Sequence, residues 1–190
     1  MLIVVSGPDR VGKSTLIDQM TSKLGDKCMV FHHSAPDGIG QDIFAEYRKN
    51  IQHFLLCESA KYAIFDRGWP CTYLLEQHRR RNAGHFEEMV DLEHWVHNKL
   101  KGQVVHVGRL RPWHWSAPHH MTELREMFKD QSDWYIRDEY VARMEEHKVY
   151  TQQLLDFYED ITMFPNIQLT DNIPGEAVIP LCKQALGTLQ

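Results

Sequence analysis

The sequence predicts an α/β fold: a five-stranded parallel sheet with helices on both faces. Three observations predict it. Short continuous apolar runs recur along the chain, helical stretches alternate with them, and the first run opens into a glycine-containing turn leading straight into a helix. Parallel strands covered on both faces read as unbroken apolar runs, because neither face meets water. At 190 residues the chain suits one domain, with no repeat, low-complexity tract or linker to divide it.

Leu2-Ile3-Val4-Val5 is the first run, and Thr15-Leu16-Ile17-Asp18-Gln19-Met20 continues as a helix. Between them, Gly7-Pro8-Asp9-Arg10-Val11-Gly12-Lys13-Ser14 matches the spacing G-x-x-x-x-G-K-[ST] at every fixed position. The chemistry needs these residues in this order. Gly7 and Gly12 let the backbone turn so that successive amides face phosphate oxygens, and the helix N-terminus adds its dipole. Lys13 supplies a point charge for the β- and γ-phosphates, and the Ser14 hydroxyl can ligate Mg²⁺. The pattern implies a nucleoside triphosphate held by the loop from Gly7 through Asp9, Arg10 and Val11 to Gly12, Lys13, Ser14 and Thr15.

Lys27-Cys28-Met29-Val30-Phe31 reads as the second strand, followed by a helical stretch over 39–59. Tyr62-Ala63-Ile64-Phe65 is the third strand and ends at Asp66-Arg67-Gly68. A carboxylate there can hold the Mg²⁺ shell or orient an acceptor oxygen, and an arginine can grip an acceptor phosphate with two parallel bonds. Helices are expected over 70–81 and 85–101, then a fourth strand over 103–107. Residues 109–118, with two prolines, two tryptophans and no usable period, read as a loop able to move, within a lid region of about 109–132. Arg109 and Arg111 alternate on it and are candidates for clamping phosphate. Trp113-His114-Trp115 reads equally as a base-stacking platform or as a hydrophobic plug. Helices near 121–129 and 133–160, a fifth strand at Asn166-Ile167-Gln168-Leu169 and a closing helix from Gly175 to Leu189 complete the order. In such open sheets ligands sit at the carboxyl ends of the strands, where the phosphate loop, Asp66-Arg67 and Arg109/Arg111 all fall.

Composition narrows the classes. With 43% apolar and 25% charged residues the chain reads as a soluble globular protein. No apolar stretch approaches the roughly 18 residues of a membrane span, and no basic leader precedes the first strand, so no membrane partner is expected. Cys28, Cys57, Cys71 and Cys182 form no C-x-x-C pair, which argues against a zinc site or a disulfide framework and for a cytoplasmic setting. A net charge of −5 disfavours non-specific nucleic-acid binding. Twelve histidines raise a metal question, but the adjacent pairs His32-His33 and His119-His120 do not share a helix face. His78-Arg79-Arg80-Arg81 ends a helix, either as a solvated turn complementing the helix dipole or as a contact for polynucleotide phosphates.

On these residues the chain resembles the thymidylate kinases, within the wider thymidylate and deoxynucleoside kinase group of P-loop kinases. Four places carry the resemblance. Asp9-Arg10 lies inside the phosphate loop, as in thymidylate kinases with a loop arginine. Phe44-Ala45-Glu46-Tyr47-Arg48 looks like the family's F-x-x-N-R stretch, and Phe65-Asp66-Arg67 is similar to its D-R element. The long helix through Val141, His147 and Tyr150, with the strand and Pro-Gly-Glu start after it, resembles its C-terminal third. The resemblance implies the P-loop kinase fold, ATP with Mg²⁺, and transfer of the γ-phosphoryl to dTMP or a 5-modified dUMP. It implies that Asp9 approaches the acceptor sugar, that Arg10 bridges the transferring phosphoryl, and that Asp66 orders metal or acceptor. Arg67 would grip the acceptor, while Phe44 and Arg48, four apart on one helix face, would read the base. A homodimer is also implied.

The departures concern the acceptor. Where the family shows R-x-T-x-I-G, Ile39-Gly40 are preceded by Ala35-Pro36-Asp37 and no arginine. His106-Val107-Gly108-Arg109-Leu110-Arg111 replaces the family's D-V-x-P-E. Relatives in some bacteriophages phosphorylate the hydroxymethyl group of uracil within DNA, so DNA is an alternative acceptor, and a deoxynucleoside is a third.

Overall fold

A computed structural model describes residues 1–33, 44–79 and 85–187. The elements run β1 (Leu2–Ser6), α1 (Lys13–Leu24), β2 (Cys28–His32), α2 (Ala45–Leu56), β3 (Tyr62–Asp66), α3 (Trp69–Arg79) and α4 (Phe86–Leu100). They continue with β4 (Val104–Arg109), α5 (Trp113–Met127), α6 (Asp133–Asp156), β5 (Asn166–Leu169) and α7 (Gly175–Gly187). The five strands form one parallel sheet in the order β2-β3-β1-β4-β5. β1 lies at its centre, with Leu2 opposite Ala63 on one side and Val104 on the other.

Alternation along the strands divides the core into two halves. Leu2, Val4 and Phe65 pack to one side with Tyr47, Trp69, Met89, Leu92 and Phe157. Ile3, Val5 and Ile64 pack to the other with Leu16, Ile17, Met20, Val178 and Ile179 from α1 and α7. The sheet is therefore dry on both faces, and its chemistry is confined to the carboxyl edge.

One charged group interrupts the first half of the core. Glu93 on α4 is buried and accepts from Trp69 Nε1, from Thr162 Oγ1 at 2.8 Å and from the Met163 amide at 3.2 Å, with His106 Nε2 3.4 Å away. A buried carboxylate is tolerated only when its oxygens are satisfied in this way. The node ties α4 to β4, to the first turn of α3 and to the segment after α6.

The segment 109–118 is not the loop the sequence suggests. Arg109 is the last residue of β4, and α5 begins at Trp113. Pro112 sits at the helix N-cap with φ −56°, where the fixed proline angle and missing amide cost nothing, and Pro118 is carried within the helix. The buried stripe of α5 is Ser116, His120 and Leu124, so its period is largely carried by polar side chains. The helix expected over 39–59 runs from Ala45 to Leu56 among the described residues. Ala35, Asp37, Ile39, Gly40, Arg80, Arg81 and Leu189 lie outside the described residues. The helix expected over 133–160 runs as an α-helix to Asp156 and widens into a π-turn over Phe157–Ile161. Its start is fixed by Ser132, whose hydroxyl accepts from the Tyr135 amide.

Candidate active site

At the carboxyl edge, β1 gives way to the loop 7–12 and the first turn of α1. Gly7 has φ +152°, and a Cβ there would lie 2.3 Å from the Arg109 carbonyl oxygen. Only glycine allows the loop to pass so close to the end of β4. Gly12, at φ +85°, is the left-handed residue that starts α1. Arg10 also adopts a left-handed backbone, φ 63°. A non-glycine residue seldom does so without a reason in its surroundings.

Lys13 is buried at the base of the loop, its ammonium donating to the Gly7 carbonyl at 3.0 Å and the Pro8 carbonyl at 2.6 Å. Two of its three donors are used in this way. Burial pulls its pKa down, and Cys71, Asp9 and Asp66 act against that. Ser14 and Thr15 are exposed beside it.

The end of β3 faces the loop. Arg67, in left-handed backbone at φ 64°, donates from Nη2 to Asp9 Oδ1 at 2.8 Å. Its carbonyl accepts from the Tyr47 hydroxyl, which is also 2.6 Å from Thr72 Oγ1. The turn is thus anchored from α2 and α3. Asp66 Oδ2 lies 3.0 Å from His32 Nδ1 on β2. Next to it, His33 is buried against Tyr47, ring centroids 4.1 Å apart, with Nε2 at 3.1 Å from Asn50 Nδ2. Burial lowers its pKa to about 4.

A cavity of about 690 Å³ opens between these edges and the helices α5 and α6. Its floor is the loop, with Asp9, Arg10, Lys13, Ser14 and Thr15, and Asp66 and Arg67 form one side. The opposite wall was not legible in the sequence: His119, His120 and Glu123 from α5, then Arg143, Glu146, His147 and Tyr150 from α6. The spacing 143, 146, 147, 150 is one helix face. That polar stripe is the signal by which the wall could have been found.

The remaining candidates stand elsewhere. Phe44 is fully buried beside Tyr47, and neither it nor Arg48 lines the cavity. Arg109 is 2% exposed and donates to the Asp171 carbonyl, which places it behind the loop rather than on a lid over it. Arg111 donates to Asn172 Oδ1 and covers the Trp115 ring at 4.8 Å. Its Nη1 lies 3.6 Å from where a Cβ on Gly12 would stand. Trp113 packs inward as a plug, stacked on His120 at 4.7 Å and edge-on to His147 and Tyr140. Trp115 remains half exposed.

The donor set suits a triphosphate with Mg²⁺. Backbone amides, an ammonium and a hydroxyl stand at the start of a helix, and a carboxylate lines the same cavity. Among the described residues no three His, Cys, Asp or Glu side chains gather as a metal cage. Mg²⁺ needs none, because it takes one or two protein oxygens and completes its shell with phosphate and water. No described helix is long and apolar enough to cross a membrane.

No protein-family model matches the chain, and no curated protein matches it in sequence. Solved structures do match. Polyphosphate Kinase 2 from Arthrobacter aurescens TC1 superposes with a TM-score of 0.63 at 17% identity, covering 100% of this chain and 68% of that one. A putative polyphosphate kinase 2 from Pseudomonas aeruginosa PA01 gives 0.62 at 18%, covering 98% of this chain and 42% of that one. The YorR protein from Bacillus subtilis, in complex with phosphorylated GDP, gives 0.53 at 14%, covering 100% and 95%. The chain shares the α/β fold of these kinases, a five-stranded parallel sheet with helices around it.

Proposed function

We propose that this protein is an ATP-dependent, Mg²⁺-requiring phosphotransferase that moves the γ-phosphoryl of ATP to a pyrimidine deoxynucleotide, dTMP or a 5-modified dUMP. The observation that carries the reading is the arrangement around one cavity. Lys13 and Ser14 stand at the donor end, and the bonded pair Asp9 and Arg67 reaches in from two elements beside them. The pyrimidine rests on the resemblance to thymidylate kinases, in which the Phe44–Arg48 stretch would read the base and the Asp9-Arg10 and Asp66-Arg67 elements would serve the phosphoryl groups.

In this reading Lys13 and the loop amides hold the β- and γ-phosphates, and Arg10 meets the charge on the transferring group. Asp9 fixes Arg67, and Arg67 orients the acceptor. An acceptor oxygen attacks the γ-phosphorus, the bond to the β,γ-bridging oxygen breaks, and ADP leaves. Ser14 and Asp66 are the residues that would hold Mg²⁺, which spreads the phosphate charge. Phe44, the residue expected to stack on the base, is enclosed by the core in this structure.

A second reading changes only the acceptor. Arg67, the arginine that would grip an acceptor phosphate, is already paired with Asp9. A monophosphate acceptor brings about two negative charges. The Asp9 carboxylate disfavours it relative to a neutral hydroxyl, as on a deoxynucleoside or on hydroxymethyluracil in DNA. The test is transfer of label from γ-labelled ATP with Mg²⁺ to dTMP, thymidine or hydroxymethyluracil DNA. Label in dTMP supports the first reading, and label only in a hydroxyl acceptor supports the second. No transfer to any of them rejects both.

A further inference from the structure

The wall of the cavity facing the phosphate loop holds one carboxylate between two arginines. Glu123 Oε1 lies 3.2 Å from Arg10 Nη2, and Glu123 Oε2 lies 3.0 Å from Arg143 Nη1. The three residues come from three elements: the loop, α5 and α6. Two guanidinium groups converging on a pair of oxygens is the arrangement proteins use to hold phosphate. Here the chain supplies the anion itself. The arginine on the loop side sits in the left-handed backbone that its local sequence does not favour, so its direction is imposed by the site.

We propose that Glu123 is an internal anion occupying a phosphate subsite formed by Arg10 and Arg143, which substrate phosphate enters by displacing the Glu123 carboxylate. The proposal rests on the reading of this cavity as a phosphotransfer site and deepens it by assigning Arg143 and Glu123. Displacement is easy. Side-chain exposures of 51% for Arg10, 32% for Glu123 and 24% for Arg143 leave both ion pairs open to water, and such pairs are weak. A phosphate group carries more charge than a carboxylate and presents three acceptor oxygens, so it competes well for the same two arginines. The charged and titratable neighbours facing this point are Asp9 and His120, with Glu146 and His147 further along the wall. While Glu123 is in place, Arg10 is held from the transferring group, so ATP must displace the carboxylate to be bound and hydrolysed.

The consequence has opposite signs at two residues. Glu123→Gln keeps the shape and removes the charge, leaving both arginines for phosphate. Arg143→Gln removes one of those arginines and leaves Arg10 to Glu123 alone. The full chain and both variants are titrated with ATP and Mg²⁺ and with tripolyphosphate by calorimetry, at about 0.15 M salt so that long-range charge effects are screened. Glu145→Gln serves as the control. It removes an equal charge two residues from Arg143, at a carboxylate paired with Lys148 outside the cavity wall.

Glu123→Gln is expected to bind both ligands about three- to tenfold more tightly and to raise ATP hydrolysis in the absence of acceptor. Arg143→Gln is expected to bind more weakly by a similar factor, and Glu145→Gln to stay within about twofold of the parent. Unchanged or weaker binding by Glu123→Gln, or equal tightening by Glu145→Gln, overturns the proposal while leaving the phosphotransfer reading intact. If Glu123→Gln does not fold, the sign of Arg143→Gln decides. A parent chain that binds neither ATP nor tripolyphosphate overturns the phosphotransfer reading itself.

Discussion

Arg67 donates to Asp9 at 2.8 Å, a bond that closes the end of β3 onto the phosphate loop. In the proposed reading it makes the acceptor side of the cavity depend on the donor side, since Arg67, which would orient the acceptor, is held by Asp9 of the loop.

Asp9→Asn tests that dependence. The amide keeps the size of the side chain and loses the charge that fixes Arg67. Turnover in phosphoryl transfer is expected to fall by about tenfold or more, with ATP affinity changed by less than about threefold. Steady-state kinetics beside equilibrium binding separates the two, and an unchanged turnover removes Asp9 from the account.

Gly7→Ala tests the close approach of the loop to β4. The added methyl meets the Arg109 carbonyl oxygen, part of the backbone and unable to rotate away. A loss of about 2 kcal/mol of stability is expected, together with weakened ATP binding. Chemical denaturation measures the first, and a variant as stable as the parent contradicts the packing described.

His33 predicts a pH dependence. Its ordinary pKa is near 6.5, and burial against Tyr47 lowers it to about 4 in the folded chain. The unfolded chain therefore binds the proton more readily across that interval. The stabilising contribution is complete above about pH 6.5 and is lost progressively as pH falls towards 4, by an amount on the order of 2 kcal/mol. Denaturation curves between these limits should show the loss, and His33→Gln should flatten it. A parent whose stability is level over the interval counts against the burial of this ring.

Glu93→Ala leaves Trp69, Thr162 and the Met163 amide without an acceptor and His106 without its partner. A loss of about 3 to 5 kcal/mol is expected, the cost of removing one partner from a buried charged cluster. A variant within about 1 kcal/mol of the parent would show that the node is dispensable.

Much of this was written plainly in the chain. The runs Leu2–Val5, Tyr62–Phe65 and Val104–Val107 announce themselves because both faces of a parallel sheet are dry, and the loop 7–14 because it matches the spacing G-x-x-x-x-G-K-[ST] at every fixed position. The start of α5 was hidden for the opposite reason. Its inner stripe is Ser116, His120 and Leu124, which no apolar period reveals, and its two prolines, one at the N-cap and one within the helix, imitate a loop. Phe44 shows a second limit. Spacing places it on the same helix face as Arg48 but does not say whether that face meets a ligand or the core. Glu123 and Arg143 show a third, because their partnership with Arg10 exists only once α5 and α6 are folded over the loop.

The central claim is that the loop from Gly7 to Ser14 encloses the phosphates of a nucleoside triphosphate. Its most direct test is titration of the parent chain and of Lys13→Ala with ATP and Mg²⁺, each confirmed as folded by circular dichroism. The account predicts saturable binding by the parent and a loss of about tenfold or more in the variant. A parent that does not bind ATP, or a folded variant that binds it equally well, would contradict it.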